Sequence, residues 1–397
     1  MNHISFATAL RGLVVVLACA PAVYYLLSIY CAHSFFSKKT RDPAPSQPYL
    51  PPISVLKPVR GLDREAYENY ASFCEQDYPE YEVLFAVNDA DDLAIPIIEK
   101  VARRHPGRAV RLLMGAPPLG SNNKVNKLCR LVREARYDLL VMSDSDVRVE
   151  PDYLRQVAAP FRDPQVGAVT ALFRAKVNDD LASHIDCVGS AVEFCSSAVV
   201  ARRLEGMKFT LGATMATTRQ RLAEIGGFEA LVDHHADDFE LGNRIAARGY
   251  RVELLREPVW MVFPAEALGT FLKHELRWSI GLRNIRPLAH LGLVFTHGLP
   301  WALAAAFALH SRILAAPVLA TYLGLRLAMA WMVGVWGLKD RAVRRNLWLV
   351  PLRDALAFMV WLASFASNRI QWRGLEFTIK KGLLVPVPSS ASPRARG

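Results

Sequence analysis

Residues 53–142 alternate between short apolar runs and longer amphipathic segments. The apolar runs have the length and composition of buried strands and lie at 53–56, 81–87, 109–114 and 139–142. The segments between them have helical spacing and lie at 64–76, with Asp63 placed to cap the helix, at 93–104 and at 123–134. Strands and helices in strict alternation predict an α/β domain with a mostly parallel sheet covered on both faces.

Other stretches have the apolar length needed to cross a bilayer. Residues 13–36 contain no Lys, Arg, Asp or Glu, which predicts a membrane-spanning segment. A cleaved signal peptide is the alternative, but the apolar run continues through 24–30, which favours an uncleaved anchor. Three more membrane helices are expected near the C-terminus, each with a polar interruption: about 288–309 with His297, 313–336 with Arg326, and 347–365 with Arg353 and Asp354.

These patterns divide the chain into five regions. We expect a membrane anchor at 1–41, a soluble domain at 42–270 that begins with a proline-rich linker, an amphipathic interfacial helix at 271–287, membrane helices at 288–368 and a basic tail at 369–397. The basic residues at 38–41 place that end of the anchor in the cytoplasm. The topology of the C-terminal helices stays open, because 339–345 and 369–381 are both basic and one candidate span separates them.

The net charge of +11 does not by itself indicate a nucleic-acid-binding protein. The basic residues are spread along the chain and cluster beside the apolar spans, where the headgroups of a phospholipid bilayer are the simpler partner. The six cysteines form no C-x-x-C pair and have no zinc-ligand spacing, which is typical of reduced structural thiols. Composition therefore predicts a membrane protein that carries a soluble domain and has no nucleic-acid partner.

Two acidic clusters follow strands of the predicted sheet. Asp89, Asp91 and Asp92 follow the second strand, and Asp144 and Asp146 follow the fourth. Ligands of such sheets bind beyond the carboxyl ends of the strands, so we expect both clusters on one rim rather than in unrelated solvated turns. No G-x-G-x-x-G follows the first strand, which disfavours a dinucleotide-binding fold. A bound diphosphate would need another counter-charge, and a divalent Mg²⁺ or Mn²⁺ held by Asp144 and Asp146 would supply it.

A third acidic cluster lies further along the chain. Asp237 and Asp238 precede a predicted helix at 241–248 that ends at Gly249. Acidic side chains at a helix N-terminus are stabilised by the helix dipole, so simple capping is the alternative to a catalytic role. His234 or His235, in the same stretch, is a candidate for completing a metal shell, and a solvated histidine is the alternative.

A basic and aromatic cluster precedes the first C-terminal span. It contains His274, Arg277 and Trp278 on a segment whose apolar residues share one helical face, as in a helix that lies on a membrane surface. On that helix Arg277 can grip phosphate oxygens with two hydrogen bonds, and Trp278 can offer a flat wall for a sugar or a lipid. A reaction centre here would lie at the boundary between water and lipid.

These acids and the basic cluster resemble the D, D, D, (Q/R)xxRW pattern of membrane-bound glycosyltransferases of families 2 and 21. In chain order the matching residues are Asp92, Asp144, Asp238 and the Arg277-Trp278 pair. The chain looks most like ceramide glucosyltransferases and the related bacterial hopanoid biosynthesis-associated glycosyltransferases. Short sequence motifs such as Ser54-Val55-Leu56-Lys57-Pro58 and Gln76-Asp77-Tyr78-Pro79 also match those of these families. The resemblance runs from the N-terminal anchor to the C-terminal spans, and it is specific because four separated motifs occur in the right order.

The resemblance implies a GT-A fold on the cytoplasmic face of the bacterial inner membrane, in a multi-pass protein. It implies inverting transfer of a hexose, glucose or N-acetylglucosamine, from a UDP-sugar to a hydroxyl of a membrane lipid. It also implies a role for each motif. Asp89 and Asp92 would contact the uridine part of the donor, and Asp144 and Asp146 would hold a metal ion on its diphosphate. Asp238 would be the general base, and Arg277 with Trp278 would close over the leaving diphosphate and the acceptor.

The sequence departs from the family pattern at two positions. His274 stands where the family has Gln or Arg, and Asp146 completes a D-x-D where eukaryotic ceramide enzymes carry Asp-Ser-Gly, which favours the bacterial hopanoid branch. A processive polysaccharide synthase is one alternative, but it predicts Gln at position 274 and more membrane spans. A non-catalytic membrane scaffold is the other, and it predicts losses among the carboxylates, all of which are present.

Overall fold

The computed structural model describes residues 6–37, 48–372 and 374–387. The basic cluster at 38–41 and all of the linker except Pro48 lie outside the described residues. After the linker the chain forms an α/β domain with strands β1 Ile53–Pro58, β2 Tyr81–Val87, β3 Ala109–Met114, β4 Leu139–Met142, β5 Val147–Arg148, β6 Val166–Lys176, β7 Met215–Thr218 and β8 Arg251–Val262. Two apolar helices precede this domain, α1 Phe6–Leu17 and α2 Cys19–Ser37. The helices of the domain are α3 Ala66–Cys74, α4 Ile95–Arg104, α5 Asn123–Glu134, α6 Tyr153–Ala158, α7 Leu181–Gly189, α8 Ser196–Glu205, α9 Arg219–Glu224 and α10 Asp237–Ala247.

The strands of this domain form one mixed sheet. Among the described residues it has eight strands in the order β3-β2-β1-β4-β7-β6-β8-β5. β1 pairs in parallel with β2 and β4, and β2 pairs in parallel with β3, whereas β7 runs antiparallel to β4 and β6. β1 and β2 are buried along their whole length, which explains why they appear in the sequence as continuous apolar runs. The prediction of a mostly parallel, helix-covered sheet is therefore confirmed.

The N-terminus of α3 differs from the prediction. The helix begins at Ala66, and its N-cap is Glu65, in the left-handed region with φ of 53°, rather than Asp63. The Glu65 carboxylate accepts hydrogen bonds from Arg148 at 2.7 Å and from Lys176 at 2.5 Å. This pairing with strands β5 and β6 holds the chain in a tight turn before the helix, so the sequence-local cap at Asp63 does not form.

The rest of the chain is helical until a small C-terminal sheet. The helices are α11 Leu268–Ile285, α12 Pro287–Gly292, α13 Gly298–Ala308, α14 Arg312–Ala330, α15 Arg341–Asn346 and α16 Val350–Ala363. Among the described residues, three helical segments are long and apolar enough to cross a membrane, namely Phe6–Ser37, Ile313–Gly337 and Arg341–Ala363. A pair bent by 44°, Pro287–Phe295 and Gly298–Ala308, would be a fourth if it forms one span.

The charged residues Arg326, Arg353 and Asp354, which interrupt these apolar segments, are all buried in ion pairs. Arg326 and Asp354 form a buried ion pair, with donor–acceptor distances of 2.6 to 3.1 Å, and the Tyr322 hydroxyl donates to the same carboxylate. Arg353 is buried as well, and its guanidinium pairs with Glu193 at 2.8 Å and with Glu275 on α11. Buried charges of this kind persist only when they are paired, so these residues fix how the helices pack against the domain.

The segment that the sequence indicates as a basic tail contains regular structure. β9 Arg369–Trp372, β10 Leu375–Lys380 and β11 Leu383–Pro386 form an antiparallel sheet in the order β11-β10-β9. Its apolar face covers Ile280 of α11 with four side chains, Ile370, Phe377, Ile379 and Leu384. The chain therefore returns from its apolar helices to the soluble domain.

Candidate active site

The loops after β1 and β2 are joined by Asp92. Both of its carboxylate oxygens lie 3.0 Å from the backbone nitrogen of Gly61, which donates to them, and Oδ1 also accepts from the N–H of Ala94 at 2.9 Å. Asp92 thus ties together two loops at the carboxyl ends of parallel strands, the position at which such sheets bind ligands. Asp89 and Asp91 are exposed on the same loop.

A lysine that sequence reasoning missed lies between the second and third acidic clusters. The Nζ of Lys124 is 2.8 Å from Oδ1 of Asp144 and 3.1 Å from Oδ2 of Asp237. Burial alone would lower the pKa of Lys124, but Asp144, Asp237 and Asp238 outweigh that effect and raise it above its ordinary value. Lys124 therefore stays charged and neutralises part of a cluster of three carboxylates.

The position of Lys124 is set by the start of α5. Asn122 is the N-cap of this helix, and its side-chain oxygen accepts from the N–H groups of Lys124 and Val125. The Asn122 amide also donates to the carbonyl of His234 at 2.8 Å, which joins α5 to the loop before α10. A cation in the first turn of a helix opposes the helix dipole, and this unfavourable placement was the signal in the sequence that a partner of opposite charge lies nearby.

Asp238 is the second residue of α10 and lies beside the same cluster of carboxylates and Lys124. Its Oδ2 accepts from the backbone N–H of Gly212 at 3.0 Å, and its Oδ1 accepts from the N–H of Phe239 at 2.7 Å. Burial and, next, the neighbouring Asp237 raise the pKa of Asp238 to about 6, although Lys124 opposes this shift. A carboxylate with a pKa near 6 is ionised at neutral pH and still basic enough to accept a proton from a hydroxyl as that oxygen reacts.

Gly212 is the point at which Asp144 and Asp238 converge. A Cβ built at this glycine would lie 2.5 Å from Oδ2 of Asp144 and 3.6 Å from Oδ2 of Asp238. The backbone carbonyl of Gly212 also accepts from the N–H of Asp144 at 3.3 Å. The structure thus brings together two acids that are 94 positions apart in the sequence.

We expect Gly212→Ala to lower activity by about 10- to 100-fold, since it displaces the Asp144 carboxylate by an ångström or more. The methyl group has no space beside the carboxylate oxygen at 2.5 Å. The matched control is Gly107→Ala, because a Cβ at Gly107 meets no atom within 4 Å. Steady-state rates of both variants test this, and equal rates for Gly212→Ala and wild type would contradict it.

If Asp238 is the general base that the family resemblance implies, we expect the rate to fall as the pH drops below about 6, because protonated Asp238 cannot accept another proton. Since burial raises this pKa from its ordinary value of 3.8, the acidic limb lies well above the range of an ordinary aspartate. A profile of kcat/KM between pH 4.5 and 8 measures it. A limb below pH 4.5 would contradict the assignment.

Lys57 is buried beneath the rim, where its charge and that of Asp146 influence each other. Burial, followed by Asp144 and Asp63, raises the pKa of Asp146 to about 7, whereas Lys57 lowers it. Burial lowers the pKa of Lys57 to about 7, against the pull of Asp146 and Asp144. Among the described residues, buried Oδ1 of Asp146 has no hydrogen-bond partner, so this carboxylate oxygen has capacity to bind a proton or a cation.

The basic and aromatic cluster lies on α11, as the sequence predicts for a helix in this region. Trp278 donates its indole N–H to Nε2 of His274 at 2.9 Å, and burial, then Arg277, lowers the pKa of His274 to about 4. His274 is therefore a neutral acceptor that orients the indole. The Arg277 guanidinium lies 5.7 Å from the ring centroid of Trp278 and 5.6 Å from that of Trp372 in β9.

His235 connects α11 to the loop just before α10, the helix that carries Asp238. A Cβ at Gly281 of α11 would lie 2.7 Å from the His235 ring, so only glycine permits this approach. Burial and, next, Arg277 lower the pKa of His235 to about 4, and its ring packs edge-on against Trp372. Within the described part of the chain no three His, Cys, Asp or Glu side chains are grouped so as to hold a metal ion, and His235 packs in an aromatic environment.

The fold and the site together define a glycosyltransferase of the GT-A type, with its acids at the carboxyl edge of the sheet and a basic helix leading into apolar ones. Residues 13–385 match the family described as glycosyl transferase family 21. The chain therefore belongs to glycosyl transferase family 21.

Curated relatives of the chain are named ceramide glucosyltransferases. The chain is 27% identical over 278 residues to ceramide glucosyltransferase 1 of Caenorhabditis elegans, which covers 69% of this chain and 58% of the relative. It is 26% identical over 358 residues to ceramide glucosyltransferase 3 of the same organism, covering 84% of this chain and 74% of the relative. The chain thus matches little more than half the length of the first relative and about three quarters of the second.

A similar solved structure is the mannosyltransferase PcManGT from Pyrobaculum calidifontis in complex with GDP-Man and Mn²⁺. The two share 22% identity with a TM-score of 0.56, over 89% of this chain and 99% of that one. This likeness establishes the common GT-A fold.

Proposed function

We propose that the chain transfers a hexose from a UDP-sugar to a hydroxyl group of a membrane lipid, with inversion at the anomeric carbon. The observation that carries the proposal is the convergence of Asp144 and Asp238 at Gly212, beside the Lys124 ammonium. His235 joins this cluster to α11, which carries Arg277 and leads directly into the apolar helices. A polar donor and a lipid acceptor can both reach a site with that arrangement.

In the proposed mechanism Asp238 accepts the proton of the lipid hydroxyl while that oxygen attacks the anomeric carbon. The bond from this carbon to the diphosphate oxygen breaks in the same step, and the nucleoside diphosphate leaves with the bonding electron pair. Positioned general-base help of this kind contributes roughly 10²- to 10⁴-fold. Arg277 and Lys124 supply positive charge that stabilises the departing diphosphate, and the loop held by Asp92 is proposed to bind the uridine.

A divalent cation fits the carboxylates after β4. Mg²⁺ is commonly bound by one or two carboxylates together with substrate phosphates, and Asp144 with Asp146 provides such a set. Within the described part of the chain, one buried carboxylate oxygen of Asp146 has no hydrogen-bond partner. When bound, the cation would neutralise charge on the diphosphate as a Lewis acid. PcManGT holds Mn²⁺ together with GDP-Man, which supports metal dependence for this fold.

The names of the relatives support glucose as the sugar and ceramide as the acceptor. A hopanoid polyol is the second candidate acceptor, because Asp146 completes the D-x-D that we associate with the bacterial branch. We further propose that the active site faces the cytoplasm, with the chain resident in the bacterial inner membrane.

The proposal is tested with purified protein in detergent. UDP-glucose, UDP-N-acetylglucosamine and GDP-mannose are each incubated with ceramide, a hopanoid polyol or diacylglycerol, and free nucleotide and lipid product are measured, the latter by mass spectrometry. We expect lipid-dependent release of UDP and a lipid that carries a single hexose. A polysaccharide product would support a processive synthase instead, and absence of any product would overturn the proposal.

A further inference from the structure

The C-terminal sheet is attached to the loop just before α10, the helix that carries the proposed base Asp238. The N–H of His235 donates to the carbonyl of Gly382 at 2.9 Å, and the N–H of Leu384 donates to the carbonyl of Asp233 at 2.7 Å. These backbone bonds extend the sheet by the segment that ends three residues before Asp238. Any movement of the sheet therefore changes the position of this loop.

The same sheet also places an aromatic ring against Arg277. Ile370 and Trp372 lie two positions apart on β9 and therefore share one face of the strand. Ile370 packs on Ile280. Trp372 lies beside Arg277, with 5.6 Å between the guanidinium carbon and the centroid of the ring. With Trp278 at 5.7 Å, two indoles contact one guanidinium. Cation–π contacts of this kind are strongest with tryptophan and when water is excluded.

From this geometry we propose that Trp372 is a positioning residue of the active site, which holds Arg277 in place for the departing diphosphate. It contacts Arg277 and the His235 ring, so it acts on the reaction through them. The inference rests on the proposed function and adds a residue to it. It also gives the C-terminal sheet a role, since the sheet supplies the aromatic ring that links α11 to the loop just before Asp238.

The test compares Trp372→Leu with Trp372→Phe. Loss of the ring is expected to raise the inhibition constant of UDP and to lower kcat, each by about tenfold, whereas phenylalanine keeps most of the cation–π contact and stays within about threefold of wild type. Trp348→Leu is the matched control, because this tryptophan is 70% exposed. Ile379→Ala is the second control, since it loosens the core of the sheet without removing the ring beside Arg277.

A Trp372→Leu variant with wild-type kcat and UDP inhibition would overturn the inference. So would equal kinetic losses in Trp372→Leu and Ile379→Ala at matched thermal stability, because the effect would then come from loosening of the sheet. If wild type itself releases no UDP with any lipid, the proposed function has failed instead, and the two failures are thereby distinguished.

A different observation concerns the helical segment Arg341–Ala363, whose two ends both contact the soluble domain. Before it, the Asp340 carboxylate accepts from the N–H of Ala175 in β6 at 3.0 Å. Within its first turns, the Asn346 amide lies 2.8 Å from the His184 ring. After it, the chain enters the C-terminal sheet, which pairs with residues 233–235. Entry and exit therefore lie on the same side of the bilayer.

The surface of this segment fits a position along the membrane boundary. Trp348 and Met359 are 70% and 62% exposed, whereas Arg353, Asp354 and Trp361 on other faces are buried against the protein. One apolar exposed face and one face packed on the protein are compatible with a helix that lies along the membrane boundary, and the contacts of its two ends favour that position over a crossing.

We infer that Arg341–Ala363 does not cross the membrane, although its length and composition would allow it. The crossings are then Phe6–Ser37, the bent pair before residue 309, and Ile313–Gly337. His310, between the last two, lies 3.4 Å from Arg11 near the start of the first, as expected if both are on the far side. This arrangement puts both basic stretches, 339–345 and 369–381, on the same side of the membrane as the soluble domain, in agreement with the positive-inside rule.

Single-cysteine labelling tests this topology in the full-length protein. Cys19 is exposed and the other five cysteines are buried, so Cys19→Ser removes the exposed thiol. One of His310→Cys, Arg344→Cys or Arg369→Cys is then introduced into this variant. A membrane-impermeant maleimide is applied to intact cells and to inverted vesicles, with denatured protein as the labelling control. We expect positions 344 and 369 to react from one side and position 310 from the other. Reaction of 344 and 369 from opposite sides would overturn the inference.

Discussion

Asp238→Asn is expected to lower kcat by about 10²- to 10⁴-fold while leaving the affinity for the sugar donor nearly unchanged. The amide has the shape of the carboxylate and keeps an oxygen that can accept from the N–H of Gly212, which lies 3.0 Å away in the wild type. It cannot accept a proton at neutral pH, so the lost function is proton transfer. Single-turnover rates and calorimetric titration with UDP-sugar measure the two quantities separately.

The matched control for this variant is Asp138→Asn. Asp138 immediately precedes β4, at the opposite edge of the sheet from Asp144, and its side chain is 89% exposed. Its loss is expected to leave both rate and donor affinity unchanged. Full activity in Asp238→Asn would remove this residue as the base, and a parallel loss of donor affinity would assign it to binding.

Much of the sheet could be predicted because its signals are local. The observed bounds of β2, β3, β4 and α5 coincide with the predicted 81–87, 109–114, 139–142 and 123–134. Strands that are buried on both faces must be apolar throughout, and amphipathic helices must alternate with them, so the period of the sequence changes at each boundary. The acids that follow β2 and β4 could then be placed on one edge by topology alone.

Features that depend on distant contacts were not predictable in this way. Lys124 is explained only by carboxylates at positions 144 and 237, and the turn at Glu65 only by Arg148 and Lys176. The C-terminal strands have four, six and four residues, and strands so short gain stability chiefly from the surface that they cover. That surface, Ile280 on α11, lies about 90 positions before β9, so the composition indicated a basic tail.

Lys124→Met is expected to move the acidic limb of the pH–rate profile upward and to lower the rate at neutral pH by more than about tenfold. A nearby positive charge favours the ionised carboxylate, and Lys124 is the charged group that lowers the pKa of Asp238, together with the hydrogen bond from the N–H of Phe239, against the effects of burial and Asp237. Without it, the pKa rises further above 6, and less of the base is ionised at pH 7. Asp144 and Asp237 also lose their partner, at a cost of about 1–3 kcal/mol in the free energy of unfolding.

Two substitutions separate this electrostatic effect from a general loss of packing. Lys124→Arg keeps the charge and is expected to leave the acidic limb in place even if its rate falls, because the limb reports charge whereas the rate also reports geometry. Lys100→Met removes an exposed ammonium on α4 and is expected to change neither quantity. If Lys124→Met lowered the rate with the limb unmoved, the lysine would act on the donor diphosphate alone, and the coupling between Lys124 and the base would be wrong. A limb that shifts in Lys124→Met and stays in Lys124→Arg assigns that coupling to the charge of residue 124.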